Sequence, residues 1–249
     1  MSKRKIVLLA LAVCMVAILA VGGTLAYFTA EDDATNTFTV GNVAIDLEET
    51  FEQNSELAPG LKINKDAWVV NTGSKPAYVR VHIAIPFDMD DGDPSFNASH
   101  NFLHWNFPGA SMVDGKWSFL PENSTGTGYK GNGVGNWNYY TTEIEGEKYA
   151  VYVATYRSPV PAGGQTEIIL DQVYLDKTVN CKTEQNDDGS VTYVYTDTHG
   201  NEVRLSADQA KNIQIHIVAE ATQTDTFTDA YQALNTAFGV PGTYNPWAN

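Results

Sequence analysis

Five histidines, a short run of aspartates and one cysteine outside the apolar N-terminus are the residues whose chemistry comes first to notice. His100 and His104 stand four apart, the spacing at which one face of a helix offers two imidazoles to a zinc ion. Asn101 occupies the place where zinc proteases carry glutamate, so no general base accompanies the pair to activate a metal-bound water. The two rings therefore read as a loop pair packing beside Trp105. His82 and His216 fall inside alternating apolar segments and read as structural residues. Asp88, Asp90, Asp91 and Asp93 are weak calcium candidates. The twelve-residue calcium loop wants glycine sixth and glutamate twelfth, whereas here Gly92 is fifth and Ser99 twelfth. A calcium site of another kind and a solvated acidic loop tip both remain open. No serine sits in a nucleophile elbow and no glycine-rich loop links a strand to a helix, so no catalytic residue and no further cofactor is assigned. Asn97-Ala-Ser99 and Asn123-Ser-Thr125 satisfy the glycosylation sequon.

Charge narrows the partners. The 249 residues hold 30 acidic and 15 basic side chains, a formal net charge of −15. Nucleic acid is bound by neutralising phosphates with lysine and arginine, so this chain is not built for it. A hydrophobic share of 43% places it among folded proteins rather than disordered ones. Lys65 and Arg80 are rare positive charges in strands, and local carboxylates such as Glu48 or Glu49 are their expected partners in surface ion pairs.

Residues 1–26 read as an export signal. Lys3, Arg4 and Lys5 precede an unbroken apolar run from Ile6 to Val21, and Thr24 and Ala26 supply small residues for cleavage between Ala26 and Tyr27. The run is short for a membrane span of about 20 residues. Removing this segment takes three basic residues and no acid, leaving 12 basic against 30 acidic, a net of about −18. Cys14 leaves with it, and a lone Cys181 makes no internal disulfide.

The remainder must position these groups with strands. Period-two alternation marks Phe38 to Leu47 (with a bulge at Gly41-Asn42), Ala77 to Ile85, Tyr149 to Tyr156, Glu167 to Leu175 and Asn212 to Ala221. Val191 to Tyr195 and Val203 to Leu205 flank a hairpin turn at Thr198 to Asn201, and Asn186 to Gly189 is another turn. Thr226 to Phe238 shows helical spacing instead, opened by a capping-box pattern from Thr226 to Asp229 and closed by Gly239. Residues 86–140 lack any period and read as a loop-rich insertion carrying Trp105, Trp117 and Trp137. The expected fold is all-β, a β-sandwich over residues 38–249 with one C-terminal amphipathic helix at 226–238.

Several segments carry a resemblance. Gly22-Gly-Thr-Leu-Ala-Tyr-Phe-Thr29, Asn36 to Leu47, Leu57-Ala-Pro-Gly60, Lys65 to Gly73, Pro76 to Val81 and Ile215 to Gln223 together resemble the TasA/camelysin family of exported Gram-positive proteins. The resemblance implies a jelly-roll-like sandwich, cleavage by a SipW-type signal peptidase, and extracellular fibres of a biofilm matrix, with an accessory matrix protein as a further partner. It also implies a donor strand at the mature N-terminus, carried here by Tyr27, Phe28, Thr29, Ala30, Glu31, Asp32 and Asp33 within the segment 27–37. A strand of this kind adds to the sheet edge of the next copy, and repeated head-to-tail addition yields filaments. Camelysin-type members are labelled metallopeptidases, which supplies an enzyme alternative. A surface adhesin using the aromatic insertion is the third reading.

Overall fold

The computed structural model describes residues 35–37, 43–51, 58–90, 102–106, 116–122, 138–211 and 213–248. The chain divides into units 1–33 and 34–249, and all described residues belong to the second. The export signal, the cleavage site Ala26–Tyr27, the donor segment Tyr27–Asp33, the bulge at Gly41-Asn42, both sequons, Asp91, Asp93, His100 and Trp137 lie outside the described residues.

Two sheets, antiparallel except for β1 on β13, stack around one core. The first contains β1 (Thr35–Thr37), β13 (His216–Gln223), β4 (Ala77–Pro86), β8 (Glu147–Tyr156) and β6 (Trp117–Ser118) in that order, with β7 (Tyr139–Ile144) also pairing β8. The second runs β2 (Ile45–Phe51), β3 (Lys62–Asn71), β9 (Leu170–Leu175), β5 (Leu103–Asn106). Strands β3 and β4, and again β8 and β9, lie in opposite sheets, so the chain crosses between layers as a sandwich requires. Val79, Val81, Ile83, Ile217, Ala219, Tyr152 and Ala154 from the first sheet meet Ile45, Leu47, Ala67, Val69, Leu170 and Val173 from the second. Alternation of β-branched side chains fixes which residues point inward, because successive side chains take opposite faces.

Alternation in β4 holds, yet its second face is not solvated: nine of its ten residues are buried. Tyr78, Arg80, His82 and Ala84 lie beneath a third layer made by the C-terminal helix and the tail after it. That helix spans Ala230–Phe238, with Asp229 as its cap, accepting from the Gln232 backbone N–H at 3.0 Å. The expected cap at Thr226 is therefore three residues early, since Asp229 caps the helix rather than filling its first turn. Ala230, Ala233 and Leu234 pack on Tyr78, joined by Phe227 and Phe238, and Gly239 ends the helix at φ 100°, a conformation that favours glycine. A shorter helix at Ala207–Lys211, absent from the expectation, opens with reciprocal bonds between Ser206 and Gln209. Ser-x-x-Gln is a capping box that was legible in the sequence. In chain order the two are α1 and α2.

The segment expected as a loop-rich insertion supplies three strands among its described residues, β5, β6 and the start of β7. Phe102, Trp105, Trp117 and Phe119 from it are buried in the core, and the Trp117 indole N–H donates to the Glu167 carbonyl at 2.9 Å. Both expected hairpin turns form, but their strands make a separate sheet of β10 (Asn180–Gln185), β11 (Val191–Thr196) and β12 (Glu202–Ser206). Tyr195 and Leu205 anchor one face of that sheet to the main core.

Candidate functional site

Strand β13 carries the features most relevant to function. One of its edges pairs antiparallel with β4 from His216↔Ala84 to Gln223↔Ala77. Along the other edge β1 runs parallel, with Thr35↔Val218, Asn36↔Ala219 and Thr37↔Glu220 in register. Parallel addition at an edge is unusual in a sheet that is otherwise antiparallel. It brings a segment from the start of the chain beside one from near its end.

Register then builds a charged cluster on the outer face of this strand pair. Glu220 lies opposite Arg80, and Val218 opposite His82, so Glu220, Arg80 and His82 share one face. Arg80 donates to Glu220 from Nε at 2.8 Å and from Nη2 at 2.7 Å. Its remaining donors reach Asn235 Oδ1 at 2.9 Å, the Gly239 carbonyl at 3.3 Å and the Tyr244 hydroxyl at 2.7 Å. Tyr244 in turn donates to Glu220 at 2.6 Å. His82 lies between Tyr140, 3.1 Å from Nδ1, and Glu220, 3.2 Å from Nε2. A neutral imidazole protonated on Nε2 satisfies both contacts, donating to the carboxylate and accepting the Tyr140 hydroxyl.

Electrostatics follow from this arrangement. Burial works to raise the Glu220 carboxyl, but the His82 hydrogen bond, the Arg80 charge and the Tyr244 hydroxyl outweigh it and hold the group at about 2. Burial lowers His82 below its ordinary value despite the attraction of Glu220. Burial also raises Tyr140 and Tyr244 far above the usual phenol range, so both stay protonated as donors. The cluster spends its donors and acceptors on one another, tying α2 and the tail to the sheet. Arg80 and Glu220 are 1% exposed each, which corrects the expectation of a surface pair with Glu48 or Glu49. Lys65 does meet Glu49, at 3.1 Å, but likewise indoors, at 4% exposure.

The remaining sequence candidates disperse. Asp90 is buried and accepts the Tyr152 hydroxyl at 2.7 Å, while neighbouring Asp88 is exposed. His104 is on a strand, not a helix; it pairs with Asp176 at 3.0 Å and stacks on Tyr174. His216 contacts the Tyr149 hydroxyl at 3.2 Å. Cys181 is free and exposed on β10. Among the described residues no three His, Cys, Asp or Glu side chains converge to hold a metal. Nor does the His82–Glu220 pair fit one, because the Arg80 guanidinium already covers that carboxylate and would repel a second cation. Trp105 and Trp117 are buried, which removes them from the adhesin reading.

The fold and this edge define an all-β sandwich closed over one face by its own C-terminal helix and tail. Residues 2–93, somewhat over a third of the chain, match the family described as camelysin metallo-endopeptidase, which bears out the resemblance over that stretch. No curated protein and no solved structure matches the chain. Among the described residues no helix is long and apolar enough to cross a membrane.

Proposed function

We propose that this chain is an exported structural subunit of extracellular fibres on a Gram-positive surface, assembled by N-terminal strand donation after cleavage at Ala26. The carrying observation is β1. Immediately downstream of the proposed donor, the chain already forms an edge strand on β13. Strand β13 begins only two residues before Val218, so this edge offers room for little more than β1 itself. A seven-residue donor at 27–33 then needs an edge elsewhere, and the next copy offers one. Repetition of that contact is heterologous and does not close, so filaments result. A SipW-type signal peptidase would release the donor, and an accessory matrix protein would act with the polymer.

Electron microscopy of the protein recovered from an expressing Gram-positive host tests this. Filaments should form with the intact sequence, and deletion of Tyr27 to Asp33 should leave folded monomers. Filaments of unchanged length after the deletion would refute strand donation. The family's description favours a metallo-endopeptidase as the second reading. It predicts casein hydrolysis lost to a chelator and restored by zinc.

A further inference from the structure

We infer that the outer edge of β10 is a self-complementary docking strip, where two copies of this chain pair antiparallel about Thr183. The inference is independent of the fibre reading.

Strand β10 is the rim of the three-stranded sheet and, among the described residues, is paired on one side only, to β11 from Asn180↔Thr196 to Gln185↔Val191. Its six residues, Asn-Cys-Lys-Thr-Glu-Gln, contain neither proline nor a bulge, and five of the six are exposed. An edge this regular is a template for another strand. The sheet behind it is held still, because Tyr195 and Leu205 on its opposite face belong to the main core.

Hydrogen-bond phase decides which residues face outward. The hairpin closes with the Asn186 N–H donating to the Ser190 carbonyl at 2.9 Å. Bonded and non-bonded pairs alternate in an antiparallel ladder, so Glu184, Lys182 and Asn180 point their backbone groups toward β11. Cys181, Thr183 and Gln185 then turn their N–H and C=O groups to the open side.

Charge decides the register. A two-fold axis perpendicular to the sheet must relate some residue to itself in the partner. Centring on Lys182 or on Glu184 would set like charges face to face, which is destabilising. Centring on Thr183 sets Lys182 opposite the partner's Glu184, and Glu184 opposite its Lys182, in the closely spaced non-bonded positions. The same register pairs Cys181 with the partner's Gln185 and lets every outward group of the strand bond. The surroundings suit close approach. Lys182 and Arg204 balance Glu184 and Glu202 on this face, a neutral patch in a chain of net charge −15.

A single strand pair is a small contact, below the roughly 1,200 Å² of a stable interface, so covalent trapping is the suitable assay. Gln185→Cys is introduced into the full chain with Cys14→Ser, expressed in a Gram-positive host, oxidised mildly and separated without reductant. Bonded opposite residues lie about 5.5 Å apart at Cα, within disulfide reach. Residues 181 and 185 of one strand are about 13 Å apart and cannot bridge internally. The expected result is at least tenfold more covalent dimer than with Cys181 alone or with Gln185→Cys combined with Cys181→Ser. Lys182→Glu should abolish the gain, and Lys182→Glu with Glu184→Lys should restore it. Dimer no more abundant than in the single-cysteine chains would overturn the proposal. So would a swapped pair as weak as Lys182→Glu in proteins of matching circular dichroism.

Discussion

Replacing Arg80 by methionine tests the account of the buried cluster most directly. The substitution keeps most of the stem's volume and removes the charge that Glu220 faces. Held at about 2 against an ordinary 4.5, the Glu220 carboxyl contributes on the order of 3 kcal/mol of pH-linked stability. Its folded value is depressed, so that contribution is complete above the ordinary value and is lost as pH falls from there toward 2. Removing one partner of a buried pair costs about 3–5 kcal/mol, because the other charge stays indoors without compensation. Asn235 and the Gly239 carbonyl lose a donor as well. In a domain of this size the change should lower Tm by roughly 6–20 °C. Urea denaturation of both proteins should show the full gap at pH 7. The gap should narrow as pH falls from neutral toward 2.5, because burial without Arg80 raises Glu220 in the variant, which protonates first and ceases to need a partner. Charge repulsion across this acidic chain changes with pH in both proteins alike and cancels from the difference. Adding Glu220→Gln to Arg80→Met should recover part of the loss at pH 7. A gap under about 1 kcal/mol at pH 7, or one that is constant across the acid range, would refute the reasoning.

Other expectations are briefer. Trp117→Ala should cost about 3–5 kcal/mol in denaturation experiments, through a core cavity and the loss of its bond to Glu167; a cost near zero would return this tryptophan to the surface. Asp229→Ala should cost about 1 kcal/mol and Thr226→Ala almost nothing, since Asp229 is the residue that caps α2; equal costs would contradict that boundary. If subunits of about −18 stack on one another, filament growth measured by light scattering should accelerate with added salt, calcium or mild acid. Growth fastest at low salt and high pH would contradict it.

Local chemistry made much of this molecule legible. Alternation from Ala77 to Ile85 names the core-facing residues of β4, and the Asn186–Gly189 and Thr198–Asn201 turns announce their hairpins. Each of these depends on neighbours a few residues apart. What the pattern could not say is whether a face opposite the core meets water or another layer. Tyr78, Arg80 and His82 look like a solvated face until α2 and the tail cover them. Trp105 and Trp117 look like loop aromatics because Gly and Asn around them break every period. Their short strands gain order from β9 and β8, not from intrinsic preference.

The amino-acid sequence by itself determined an acidic, strand-rich chain, its turns, its terminal helix and a likeness to one exported family. Tertiary structure alone decided which carboxylate meets Arg80: Glu220, 140 residues away, not Glu48 or Glu49 nearby. Ion-pair partners across a sheet are set by the register of two strands, and register is a property of the assembled layers. The same reason makes β1 an edge on β13 and, among the described residues, leaves β10 open. An edge exists only once the order of strands is known, and no residue type declares it in advance.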